Sequence, residues 1–180
     1  MKILTLLRHA KSTWHDPVAR DFDRPLNPRG RRAARAVGRE MRAQGLAFDH
    51  VAASPARRVV ETLEDVSQGF GALEADLDPR LYLASVETLL EIVRATDDGF
   101  GRLLVVGHNP GLESLALRLT AERGRGLRSE VQAKFPTATL AEISLPVEHW
   151  SDVAAGAGTL VRFIRPRDLD PALGPDEDSY

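Results

Sequence analysis

Ile3-Leu4-Thr5-Leu6-Leu7-Arg8-His9-Ala10-Lys11-Ser12 carries an apolar run straight into cationic and polar side chains. Residues 2–7 have the length and the abrupt boundary of a buried strand. Ligands of open α/β sheets bind beyond the carboxyl ends of the strands. An Arg-His pair at such an end sets a permanently charged phosphate clamp beside a nucleophile that works near neutral pH. Taken alone, the dipeptide is more often a surface arginine and a packed histidine, so the rest of the chain has to decide.

Working outward, strand-like and helical segments alternate. Asn27-Pro28 opens a helix, with Asn suited to the N-cap and Pro to the first position, and Gly45 closes it. His50-Val51-Ala52-Ala53-Ser54 reads as a second strand, followed by a helix with the stripe Val59, Val60, Leu63 and Val66. Ser85 caps a third helix. Leu103-Leu104-Val105-Val106 is a buried strand that exits through Gly107-His108-Asn109-Pro110-Gly111 into a helix bearing Leu112, Leu115, Ala116 and Leu119. Two further strands are expected at 138–145 and 159–164, joined by a polar, Gly-containing connection suited to a hairpin. The alternation predicts a three-layer α/β/α sandwich around a mostly parallel sheet. Residues 1–165 form the expected catalytic domain. Residues 166–180, with three prolines and Asp168, Asp170, Asp176, Glu177 and Asp178, read as a loosely held acidic tail. The arginines of the first helix (Arg29, Arg31, Arg32, Arg35, Arg39 and Arg42) read mostly as a solvated face.

Composition narrows the function classes. A net charge of −2 over 180 residues gives no basic field, so nucleic acid is not an expected partner. The chain has no cysteine, which excludes disulfides, thiolate metal sites and cysteine catalysis. The first apolar run is too short for a signal-peptide core, and no run reaches the roughly 18 apolar residues of a membrane span, so a cytoplasmic protein with no membrane partner is expected. His50 and His149 lack neighbours at metal-ligand spacing and read as structural; neither a metal nor a cofactor is expected.

Three strand ends can then converge: Arg8-His9, Ser54 to Arg58, and His108-Asn109. Two arginines and two histidines around one point suit a tetrahedral dianion, with one imidazole attacking phosphorus and the other hydrogen-bonding the equatorial oxygens. At these residues the chain resembles the histidine phosphatase superfamily, which includes the phosphoglycerate mutases. Leu7 to Ser12 is similar to its Arg-His-Gly signature, and Ser54 to Thr62 to its Ser-Pro-x-x-Arg-x-x-x-Thr element. Val106 to Pro110 is similar to its second-histidine element. Arg24-Pro25-Leu26-Asn27-Pro28-Arg29-Gly30 resembles a stretch of the small, SixA-like phosphohistidine phosphatase branch. The resemblance implies a phosphoglycerate mutase-like fold and a metal-independent, two-step transfer through phosphorylated His9. It makes Arg8 and Arg58 the clamp, His108 the second histidine of the pocket, and the backbone N–H of Asn109 a further phosphate contact.

The sequence also departs from that pattern. Ala10 stands where the signature has glycine, with the expectation of a restricted backbone or a narrowed pocket. Ser12 and His15 are candidates to contact substrate, although His15 is equally a loop histidine. The longer relatives supply a general acid from an inserted segment. Here Asp21 is the candidate, with Asp16, Asp23 and Glu87 behind it. A weak acid inventory and a small, open site favour phosphohistidine on a protein, for example a histidine phosphotransfer domain. The alternatives are a small phosphate ester, or a catalytically weak phospho-ligand-binding module.

Overall fold

The structure is a computed structural model that describes residues 1–14, 20–122 and 126–174. Its sheet comprises β1 (Lys2–Arg8), β2 (His50–Ala53), β3 (Asp76–Leu77), β4 (Arg102–Gly107), β5 (Leu140–Leu145) and β6 (Thr159–Ile164), in the order β3-β2-β4-β1-β5-β6. The β3–β2, β2–β4 and β4–β1 pairs are parallel. β5 runs antiparallel to β1, and β6 antiparallel to β5, as a hairpin requires. The predicted sandwich with a mostly parallel sheet is the fold observed.

Alternation along the strands builds the two cores. Leu4 and Leu6 of β1, with Leu103 and Val105 of β4, pack under α3 (Val86–Arg94), α4 (Gly111–Leu119) and α5 (Leu127–Ala133). Leu7, with Leu104 and Val106, faces α1 (Pro28–Ala43) and α2 (Arg57–Phe70) on the other side. Asn27 caps α1 by accepting from the Gly30 N–H at 2.8 Å, and Gly45 closes it at φ +69°. Ser85 caps α3 through the Thr88 N–H at 3.2 Å. Gly30 lets α1 press on the chain just past His9: a Cβ there would lie 2.1 Å from the Lys11 carbonyl oxygen.

Three expectations change. Arg31 and Arg35 do not simply face solvent, because they bind the α2 carboxylates Glu61 and Asp65, the latter 1% exposed. A carboxylate buried between helices needs such partners. Residues 166–174 are not loosely held: α6 (Pro166–Leu169) and the 3₁₀ turn Pro171–Leu173 dock on α1, with Leu169 and Leu173 against its core. The prolines suited helix starts here, and the apolar residues between the acids supplied the contact. Residues 175–180 lie outside the described residues. The connection between β5 and β6 is not merely polar, since Trp150 is fully buried and its indole N–H donates to the Phe100 carbonyl at 2.8 Å. His50 stacks on Phe100 and His149 pairs with Asp98 at 2.9 Å, both in structural contacts. Among the described residues no helix is long and apolar enough to cross a membrane.

Candidate active site

The parallel register levels the strand ends. Arg8 lies opposite Gly107, and Ala53 opposite Val106, so the residues that follow emerge side by side. The His9 N–H donates to the Gly107 carbonyl at 3.1 Å, and the Ser54 N–H to that of Val106 at 3.0 Å. Both site imidazoles are buried, and their ring centroids stand 5.4 Å apart.

His9 Nδ1 lies 2.7 Å from the Ala10 carbonyl oxygen. A carbonyl only accepts, so Nδ1 carries the proton and Nε2 keeps its lone pair. Burial, followed by the charges of Arg58 and Arg8, pushes the pKa down to about 3 against the favourable Ala10 contact. His9 therefore rests as a neutral ring with its Nε2 unprotonated, the state a nucleophilic imidazole needs.

His108 has the opposite tautomer. The Arg58 Nη2–H faces its Nδ1 at 3.3 Å, and a guanidinium only donates, so the ring proton sits on Nε2 and points to Ser54 Oγ at 2.8 Å. Burial, then Arg58, lowers its pKa to about 4. Arg58 is 2% exposed and is fixed by Asp21, through the backbone carbonyl at 2.7 Å and the carboxylate at 3.0 Å. Neighbouring Arg57 points away, 57% exposed and paired with Glu61. The helical register thus separates the two arginines, with Arg58 in the site.

Arg8 donates through Nη1 to the Phe135 carbonyl at 3.0 Å, an acceptor it shares with the Asn109 side chain, also at 3.0 Å. The Asn109 Oδ1 caps α4 at the Glu113 N–H. Among the described residues, four buried side-chain polar atoms lack a partner, and two of them are Nε of Arg8 and Nε of Arg58. Buried donors are normally satisfied. Two orphaned guanidinium donors on the residues flanking two neutral imidazoles fit an oxyanion ligand.

The other expected residues are dispersed around this centre. Ser12 Oγ accepts from Arg24 at 2.8 Å. Exposed Trp14 covers the Arg24 guanidinium, whose carbon lies 3.3 Å from a Trp14 ring centroid. His15 and Asp16 lie outside the described residues. Ala10 is fully buried in the α1–α2 core and its N–H donates to Thr62 Oγ1 at 2.9 Å. It is not among the positive-φ residues, so alanine sits there without backbone strain. Sequence reasoning missed Tyr82, whose hydroxyl donates to Asp21 Oδ2 at 2.5 Å and whose ring meets His108 edge-on. It also missed the Phe135 carbonyl, which no side-chain motif reveals.

Comparisons agree with this geometry. The model of the histidine phosphatase superfamily (branch 1) matches residues 4–82. An uncharacterized protein of Mycobacterium tuberculosis is 39% identical over 163 residues, 89% of this chain and 100% of that one. A structure from Nakamurella multipartitia described as a SixA phosphohistidine phosphatase is 30% identical, covering 92% of this chain and 96% of that one, with a TM-score of 0.79. One from Agrobacterium tumefaciens, described likewise, is 27% identical, with 92% and 98% coverage and a TM-score of 0.78. This chain belongs to the histidine phosphatase superfamily, in its SixA-like branch.

In this SixA-like phosphatase the carboxylates near the site are few. Burial works to raise the Asp21 pKa, but the Tyr82 hydroxyl, Arg58 and Arg24 outweigh it and hold it at about 2. A carboxyl so held is ionised at neutral pH and has no proton to give. Without a bound phosphoryl group Asp21 thus rests as a carboxylate, bonded to Arg58, Arg24 and Tyr82. Asp23 pairs with Arg20 at the surface, and Glu87 with Arg118.

Proposed function

We propose that this phosphatase removes the phosphoryl group from phosphohistidine on a protein, with a histidine phosphotransfer domain in the cytoplasm as the fitting kind of substrate. The supporting observation is that the site pairs an unprotonated nucleophile, His9, with a carboxylate, Asp21, that is ionised. An alkyl ester would have to expel an alkoxide without a donor. Phosphohistidine carries its second ring proton from solvent and leaves as neutral imidazole.

In the first step His9 Nε2 attacks phosphorus and the substrate's P–N bond breaks, its electron pair going to the departing imidazole. Arg8 and Arg58 neutralise the equatorial oxygens as charge collects there. In the second step water attacks phosphorus on His9 and the new P–N bond breaks, its electron pair returning to Nε2; the hydroxyl of water stays on the released phosphate and its other proton goes to solvent. The side chains suffice for both steps, without a metal.

The test compares three substrates: a phosphohistidine protein, nitrophenyl phosphate and an alkyl phosphate. Expected are high kcat/KM for the first, measurable turnover of the second and little of the third, with phospho-His9 trapped by rapid mass spectrometry. Equal turnover of the alkyl phosphate and the phosphohistidine protein would overturn the reading in favour of a general phosphomonoesterase. No turnover of any substrate would leave a phospho-ligand-binding module.

A further inference from the structure

Between α1, residues 134–137 and the C-terminal segment 165–174 lies a cavity of about 250 Å³. Its floor is apolar, with Ala33, Pro136, Pro166 and Leu173. Its walls carry six cations: Arg8, Lys11, Arg29, Lys134, Arg165 and Arg167. Like charges gathered on one concave surface focus a positive potential into it.

Among the described residues the nearby carboxylates offset only part of that charge, Asp168 acting on Arg167 as well as on Arg165. Glu130 and Asp168 are both engaged with Arg165, at 3.1 and 2.8 Å. Glu113 acts on Arg8, whose pKa is nevertheless lowered, first by burial. Arg29 spends one N–H on the Ala172 carbonyl at 3.1 Å. Lys134 and Arg167 line the cavity, and among the described residues their side chains make no hydrogen bond or ion pair.

The cavity is tied to the nucleophile. Arg8 precedes His9 and Lys11 follows it by two residues, and the Ala138 N–H, just past the Pro136-Thr137 wall, donates to the His9 carbonyl at 3.0 Å. Arg8 thus belongs to both the phosphoryl clamp and the cavity, and its Nε is one of the orphaned donors.

We propose that this cavity is a subsite for a second anionic group, a carboxylate or a phosphate, carried by the substrate whose phosphoryl group reacts at His9. The inference rests on the reading of His9 as phosphoacceptor. On a phosphohistidine protein the second group is an acidic side chain close to the phosphohistidine. Its methylenes meet the apolar floor, and its carboxylate meets Lys134 and Arg167. On a small molecule it is a second phosphate.

The test uses the full chain and the double variant Lys134→Ala/Arg167→Ala, which leaves the residues around His9 intact. Two substrate pairs are compared: phosphohistidine peptides with and without flanking Asp or Glu, and alkanediol bisphosphates of graded length with their monophosphates. A charge-assisted contact supports a gain in kcat/KM of about ten- to a hundredfold from the second anion. The gain is expected in at least one pair and is expected to vanish in the double variant, while turnover of nitrophenyl phosphate, which has no second anion, stays the same. A gain confined to peptides assigns the group to a protein, and one confined to bisphosphates assigns it to a small molecule. No gain in either pair, or a gain that survives the double substitution, overturns the subsite. Absence of phospho-His9 in the unaltered chain instead overturns the catalytic reading on which it rests.

Discussion

His9 is expected to remain a competent nucleophile well into the acid range, and the size of the effect follows from its surroundings. An ordinary imidazole has a pKa of 6.5, whereas His9 is pushed down to about 3 by burial and by the two flanking guanidiniums. At pH 5 an ordinary imidazole is about 3% neutral, and one titrating near 3 is about 99% neutral, roughly a thirtyfold difference in available nucleophile. The sign for stability is that of a lowered pKa. The protonated ring is disfavoured in the folded state, so this contribution is fully present above pH 6.5 and is lost as pH falls from 6.5 towards 3. Histidine-labelled protein followed by NMR should show the His9 ring neutral, with its proton on Nδ1, down to about pH 4. In parallel, kcat/KM divided by the substrate's own dianion fraction should change by less than about twofold between pH 7 and pH 5. A ring that titrates near 6.5, a proton found on Nε2, or a thirtyfold fall in the corrected kcat/KM would refute the reasoning.

Arg58→Ala should cost about 100- to 1000-fold in the rate of His9 phosphorylation, the usual loss for one oxyanion-stabilising donor, while Arg57→Ala, which removes only an exposed i,i+4 pair, should stay within about twofold; equal losses would mean that Arg58 is not the inward arginine. Asp21→Asn should slow nitrophenyl phosphate, alkyl phosphate and phosphohistidine by one common factor of less than about tenfold, since an ionised, half-exposed carboxylate orients Arg58 and donates no proton; a selective loss on the alkyl ester would restore Asp21 as the acid.

The strands and the first four helices were legible because each carried both a period and a boundary residue: Asn27 and Ser85 as caps, Gly45 as a stop, and the unbroken apolar run at 103–106. β3 and α5 were not. β3 has two residues, Asp76 and Leu77, both exposed, and α5 buries only Val131, so neither carries a periodic signal. At the site, strand ends that share a parallel register must deliver their following residues together, which is why Arg8, His9, Ser54 and His108 could be grouped from sequence. What could not be grouped were contacts that depend on distance across the fold. Tyr82 reaches Asp21 from a turn before α3, and the Phe135 carbonyl reaches Arg8 and Asn109 from a loop before β5. Asp21 shows the same limit in its chemistry. Its position was readable, but its protonation is set by Tyr82 and Arg58, which the linear chain keeps far from it, together with nearby Arg24.

The charge balance explains how such a site can work without a proton donor. With both imidazoles neutral, Arg8, Arg24 and Arg58 outnumber the carboxylates that act on them, Asp21 on Arg24 and Arg58 and Glu113 on Arg8, and leave a net positive charge around His9. A phosphoryl dianion meets that positive charge without any histidine taking up a proton. Had either ring been protonated at rest, the nucleophile would be blocked or the clamp would carry excess charge with nothing to balance it. Under the proposed reading the arginines do two things with one charge: together with burial they keep Nε2 of His9 free in the resting state, and they hold the oxygens of the phosphoryl group whose phosphorus it attacks. What they cannot do is protonate a departing oxygen. Under the proposed reading, substrates are therefore sorted by how readily the leaving group departs, so that a site of this size can favour phosphohistidine over an alkyl ester without enclosing either.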